Sequence, residues 1–288
     1  MTIFIGLASG LGGRHLGAGE GPPLIQKTLP FDVEWKNMIY PEKETLDKFE
    51  HISLLNTQLA EAAYIAAKNY PFTVVIGGDH SCGIGTWSGI ATAQEEEIAL
   101  LWLDAHMDCH RPETSESGNV HGMPVASLLG HGSPYFTEIL SKKPKIKPEN
   151  LFLIGIRSYE KPEQELVERL NIRVYYIEEV KEKGLQVVFK EILDIIKEKK
   201  LKYGISLDID FFDPSYMSAT GTPEENGLSL NEFLEGYSVF DTHPPIAFEF
   251  VEFNPPCDKG ESLEGIHTIL KRVLEGRSTS VKTSLLMI

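Results

Sequence analysis

Apolar positions along the chain follow two patterns that alternate from the N-terminus onward. Short β-rich runs near residues 2 to 7, 73 to 77, 98 to 103, 150 to 155, 172 to 177, 203 to 209 and 246 to 253 predict strands. Between several of them lie stretches with helical spacing. The first covers 54 to 69, where Leu55, Leu59, Ala62, Ala63 and Ala66 share a face, and others run roughly over 84 to 94, 160 to 170, 185 to 200, 230 to 240 and 262 to 275. Strand runs such as Thr73 to Ile76 and Ile98 to Leu103 stay apolar instead of alternating, which is what burial on both faces requires. The pattern predicts a three-layer α/β/α sandwich with a mostly parallel central sheet.

No linker, low-complexity tract or fixed-period repeat divides the 288 residues, so one domain spanning 1–288 is expected. The balance of 42% hydrophobic and 24% charged residues is that of an ordinary soluble protein. A formal charge of −15, from 27 Lys and Arg against 42 Asp and Glu, excludes a surface built to neutralise nucleic-acid phosphates and suits a cationic small molecule. Three cysteines, Cys82, Cys109 and Cys257, with no CxxC spacing, argue against a disulfide framework or thiolate zinc site and fit a reducing cytoplasm. The apolar start is far shorter than a membrane span and reads as a buried first strand.

In a parallel sheet, ligands bind beyond the carboxyl ends of the strands, so the residues that follow each strand carry the chemistry. Three strands end in His or Asp clusters: Gly77-Gly-Asp79-His80-Ser81, Leu103-Asp104-Ala-His106-Met-Asp108, and Leu207-Asp208-Ile-Asp210. If these segments are extended, alternate residues project to one side, so Asp104, His106 and Asp108 face one point and Asp208 and Asp210 face the same point. Four carboxylates and two imidazoles gathered in a buried site repel one another unless cations are present. The thiolate-free donor set suits Mn²⁺, Fe²⁺, Co²⁺ or Zn²⁺, and its carboxylate excess favours Mn²⁺. Six donors are too many for one tetrahedral Zn²⁺ and suit two ions sharing carboxylates. A lone Asp-x-Asp is usually a turn, and isolated histidines such as His131 and His267 are assigned no role; it is the coincidence at three strand ends that signals a site.

These clusters, with Ser117-Gly-Asn119-Val-His121-Gly-Met-Pro124, Ala219-Thr-Gly-Thr-Pro223, Glu252-Phe-Asn254-Pro255 and the Gly-rich stretch from Arg14 to Pro22, resemble in kind and order the arginases of the ureohydrolase family. The resemblance implies two Mn²⁺ per subunit, with Asp104 and Asp208 bridging, His80 and Asp108 completing one shell and His106 and Asp210 the other. It further implies that Glu252 receives the guanidinium, that His121 shuttles a proton, that Asp108, His121 and Glu252 are catalytic, and that the subunits assemble as trimers or hexamers. The reaction implied is hydrolysis of L-arginine to L-ornithine and urea. The chemistry is consistent with those roles: a guanidinium carbon is a poor electrophile, two cations acting on one water supply hydroxide near neutral pH, a planar carboxylate matches a planar guanidinium, and a histidine can protonate the departing amine.

The loop from Ser117 through Asn119 to His121 resembles the arginase loop that holds an amino acid's carboxylate, which favours arginine. Two positions depart from the family pattern. His110 stands where arginases usually carry Asn, and Glu160 is the nearest match to an Asp that faces the α-amino group. Agmatinase, guanidinobutyrase and formimidoylglutamase activities are the alternatives within the family. Outside it stand a non-catalytic metal-binding regulatory protein and a zinc deacetylase on a similar fold.

Overall fold

The computed structural model describes residues 1–42 and 47–285, with side chains as far as Arg277. Eight strands form one sheet: β1 (Thr2–Leu7), β2 (Glu34–Ile39), β3 (Phe72–Gly77), β4 (Ile98–Leu103), β5 (Leu151–Ile156), β6 (Arg173–Tyr176), β7 (Lys202–Asp208) and β8 (Ala247–Val251). Their order is β2-β1-β3-β8-β7-β4-β5-β6, and every neighbouring pair is parallel. The helices are α1 (Gly21–Thr28), α2 (Lys48–Asn69), α3 (Gly83–Ala93), α4 (Pro124–Leu128), α5 (Pro134–Thr137), α6 (Lys161–Arg169), α7 (Ile177–Lys183), α8 (Leu185–Glu198), α9 (Leu230–Tyr237) and α10 (Ser262–Leu285).

Alternation along each strand feeds two cores. Leu101, Leu103, Ile205 and Phe248 point to one face, where Ile192 of α8, Phe233 of α9 and Ile266 of α10 cover them. Leu100, Trp102 and Val75 point to the other, under Leu59 of α2, Trp87 of α3 and Val167 of α6. With both faces covered, the strands lose the polar–apolar alternation of a one-sided sheet.

β2 has no counterpart in the sequence reading. It is an edge strand whose residues are half-buried or exposed, and its register against β1 shifts between Phe4 and Ile5, so its pattern is weak. α2 begins a turn and a half earlier than its apolar spacing suggests because Asp47 caps it, accepting from Phe49 N at 2.9 Å. Among the described residues no helix is long and apolar enough to cross a membrane.

α2 and α3 pack closely through small residues, and a Cβ built on Gly89 would lie 2.3 Å from Ala60 O and 2.8 Å from Ala63 Cβ. Because the near atom is backbone, the helices themselves must separate. Gly89→Ala is therefore expected to destabilise the protein by ~1–3 kcal/mol despite alanine's better helix propensity. Urea denaturation measures this, and a stabilised variant would contradict the packing.

Candidate functional site

The four central strands, β3, β8, β7 and β4, deliver the candidate site from their carboxyl ends. Three of them end in the same local device. Asp79 Oδ1 accepts from Ser81 N at 3.0 Å, Asp104 Oδ1 from His106 N at 2.7 Å, and Asp208 Oδ1 from Asp210 N at 2.9 Å. An aspartate that bonds the amide two residues on bends the chain out of the strand. The convergence thus arises differently from the extended-strand expectation: Asp104 and Asp208 close turns, the chain from Ile209 to Phe211 is a 3₁₀ turn, and Asp108 has φ +51°. Asp79 is such a turn-maker and also holds Gly12 N at 3.0 Å.

The turns bring all six acidic and imidazole residues named from the sequence together. His80 Nδ1 lies 3.1 Å from Asp104 Oδ2, 3.2 Å from Asp108 Oδ2 and 3.0 Å from Asp208 Oδ2. His106 Nδ1 lies 3.5 Å from Asp104 Oδ1 and 3.1 Å from Asp210 Oδ2. Two groups emerge whose donor atoms lie within 4.8 Å of one another: His80, Asp104 and Asp208, and Asp104, His106 and Asp210. Asp104 belongs to both, whereas Asp208 belongs to one.

The fit to a cation can be tested on individual atoms. His80 Nδ1 and Asp108 Oδ2 are buried, close to other polar atoms, and without a hydrogen bond. Such orphans are costly in a dry interior, and a divalent ion with oxygen and nitrogen donors would satisfy both. The electrostatics agree. Burial, reinforced by neighbouring carboxylates, pushes Asp108 and Asp208 well above the usual carboxylate range, and burial raises Asp210. Burial pulls against the charged form of His80 and His106, yet their aspartates override it and hold both well above the ordinary histidine value. Asp104 resists burial and is held low by the two histidines. The donor set fits a pair of divalent cations.

Above the cluster opens a cavity of about 360 Å³. His110, Ser117, Asn119, His121, Glu160 and Glu252, the substrate-side residues named from the sequence, all line it. Glu252 leaves β8 in a left-handed conformation, φ +62°, which for a residue other than glycine costs of order 1–3 kcal/mol. Its Oε1 accepts from His80 N at 2.8 Å and lies 3.1 Å from His121 Nδ1. Burial opposes both charges, but the contact raises His121 above its ordinary value and lowers Glu252. His110 Nε2 sits 3.4 Å from Glu163 Oε2 and 3.6 Å from Glu160 Oε2, so this departure from the family pattern is occupied with carboxylates. Asn119 Oδ1 is reached by Lys48 Nζ of α2 at 3.2 Å.

Several contributors escaped the sequence reading. Glu163 lines the cavity and accepts from Cys109 N at 3.0 Å and Glu160 N at 2.9 Å. The Glu160-x-x-Glu163 spacing ahead of a helix was its available signal. Glu224 Oε1 lies 3.7 Å from His106 Nε2 and accepts from Ser158 Oγ at 2.9 Å, an approach from a distant loop that no spacing announces. Trp102 stacks on His80 at 4.1 Å and donates its indole N–H to Asp104 Oδ2 at 3.0 Å.

An all-parallel α/β/α sandwich with paired His–Asp groups under an acidic cavity defines the class: an α/β protein with a candidate metal site at the carboxyl ends of its central strands. Comparison with known proteins makes this particular. The pattern that defines the arginase family matches residues 3–274. The arginase of Bacillus caldovelox is 37% identical over 291 residues, covering 95% of this chain and 97% of that protein. Among solved structures, arginase from Bacillus subtilis superposes with TM-score 0.87 at 31% identity, covering 95% of this chain and 98% of the other. Entamoeba histolytica arginase in complex with L-ornithine gives 0.85 at 27% identity, covering 95% and 98%. The chain belongs to the arginase family and is an enzyme of the ureohydrolase type.

Proposed function

We propose that this chain, folded as one domain, hydrolyses L-arginine to L-ornithine and urea with two Mn²⁺ held by His80, Asp104, His106, Asp108, Asp208 and Asp210. The observation that carries the reading is the juxtaposition of the two donor groups with the Glu252–His121 pair around one cavity. Relatives named arginase, one of them solved with L-ornithine, support arginine as the substrate.

The residues divide the work. When bound, the cation pair supplies Lewis acidity that brings the pKa of a water molecule near neutrality. Glu252 offers its carboxylate to the guanidinium, where paired charge-assisted hydrogen bonds hold the plane of the group over the cluster. Because His80 N and His121 Nδ1 both converge on Oε1, the carboxylate is fixed before substrate arrives. As water oxygen adds to the guanidinium carbon and the carbon–nitrogen bond to the side chain breaks, the departing amine takes up a proton, which His121 provides. Ser117, Asn119, Glu160 and Glu163 ring the outer cavity, where the amino-acid end of the substrate would lie. Urea release from arginine, agmatine and 4-guanidinobutyrate, and formamide release from formimidoylglutamate, measured side by side on Mn²⁺-loaded protein, test the assignment. Turnover of another of these in place of arginine would overturn the substrate.

His121→Asn is expected to lower kcat by about 10²–10⁴-fold with a smaller change in KM. The pH profile adds a second readout. Glu252 raises the pKa of His121, so the histidine keeps its proton to higher pH than an ordinary imidazole and loses it as pH climbs past the raised value. The wild-type rate should thus fall on the alkaline side, and that limb should vanish in the variant.

A further inference from the structure

Glu249 is a carboxylate in the middle of β8 with no exposure to solvent. Its flanks are Phe248 and Phe250, and on the described residues it forms no ion pair. Burying a charge without a cationic partner costs several kcal/mol, and an apolar residue would fill the position more cheaply. Its contacts account for its presence. Glu249 and Ser206 are register partners across β8 and β7, and Ser206 Oγ donates to Glu249 Oε2 at 2.6 Å. The indole N–H of Trp87 donates to the same oxygen at 2.8 Å, and Cys82 Sγ approaches Oε1 at 3.6 Å. Ser206 Oγ also lies 3.0 Å from His80 Nε2.

A hydroxyl has one proton. A short bond to a carboxylate commits it to Glu249, leaving only lone pairs for His80. The imidazole must then donate from Nε2, and its own lone pair falls on Nδ1, the atom that faces Asp104, Asp108 and Asp208. We propose that Glu249 is a positioning residue for the metal centre: acting through Ser206, it fixes the His80 tautomer and ring orientation that present Nδ1 to a divalent cation. This rests on the reading of the His–Asp cluster as a cation site. It extends the orienting partners of a metal-binding histidine one layer further, to a carboxylate that touches neither ligand nor substrate.

The test is the affinity of metal-free protein for Mn²⁺, measured by competition with a chelating dye, with thermal stability of the metal-free forms recorded in parallel. Glu249→Gln and Ser206→Ala are each expected to weaken Mn²⁺ binding by about 10–100-fold, the loss typical of severing an orienting partner. The double variant should lose no more than either single one, since both cut the same link. A filling role in the core would instead lower the stability of the metal-free protein and leave Mn²⁺ affinity alone. Wild-type affinity in both single variants, or losses that multiply in the double, overturns the proposal. Should Glu249→Gln fail to fold, Ser206→Ala decides by itself, because it cuts the link and leaves the carboxylate with Trp87. A wild-type protein with no affinity for divalent cations would sink the cation reading, an outcome distinct from variants that bind as well as the wild type.

Discussion

Replacing Asp104 with asparagine is expected to lower urea release by at least about 10³-fold, roughly 4 kcal/mol of transition-state stabilisation, and to weaken cation binding at both His–Asp groups together. Its position is the reason. Asp104 is the residue the two groups share, with Oδ2 beside His80 Nδ1 and Oδ1 beside His106 Nδ1. Asparagine keeps the shape and can still accept from the His106 amide, but its other end becomes an amino group that cannot ligate a cation and no longer accepts the Trp102 indole N–H. The fold should survive. Asp108 and Asp208 still face His80 Nδ1, and Asp210 still faces His106 Nδ1. Metal content and melting temperature separate the two effects: the wild type should gain about 2.7 kcal/mol at a Mn²⁺ concentration 100 times its Kd, and the variant almost none. Asp104→Asn protein that retains both ions and its turnover would refute the shared-ligand assignment.

The same residue illustrates how the site became legible. A His or Asp directly after a continuously apolar strand is exposed to notice because in a parallel sheet that is where loops converge. β3, β4 and β7 all end so, and the spacing of their motifs placed all six donors in one region. The local geometry was less accessible. Alternation suggested extended segments, whereas each motif's first aspartate turns the chain by accepting the amide two residues on. An Asp is equally compatible with ligand and turn-maker, and Asp104 and Asp208 are placed to serve as both.

Residues that act from behind the site were harder to see. Ser206 lies two positions before Asp208 on β7, so period-two alternation places it on the same face, but a serine in a strand carries no chemical signature of its own. Glu249 stood out in principle as one charge in an apolar run, yet its meaning depends on which strand lies beside β8. That pairing with β7 joins segments some forty residues apart and is fixed by the order of the sheet. Glu224 and Glu163 reach the site from loops and helix starts, where the chain follows tertiary packing more than any period. β2 was lost for a related reason: at the edge of the sheet it buries little.

Glu252→Gln is the second substitution expected to act strongly. It preserves side-chain size, tolerates the same left-handed backbone as the wild type, and keeps an oxygen that can accept from His80 N. What it removes is the negative charge facing the guanidinium. A hydrogen bond to a charged group is worth about 1.5–3 kcal/mol, so losing a pair should reduce kcat/KM by roughly 10²–10⁴-fold. Free guanidinium ion should lose affinity as an inhibitor, while Mn²⁺ binding should change little because Glu252 is not among the cluster's donors. A third signature lies in His121. Burial depresses its pKa, and Glu252 together with Asp79 more than restores it, so with the Glu252 carboxylate gone the histidine should titrate at lower pH than in the wild type. Nuclear magnetic resonance titration of His121 reads that shift independently of turnover. An unchanged His121 titration would show that the two side chains do not share charge, and undiminished kcat/KM would remove Glu252 from guanidinium recognition.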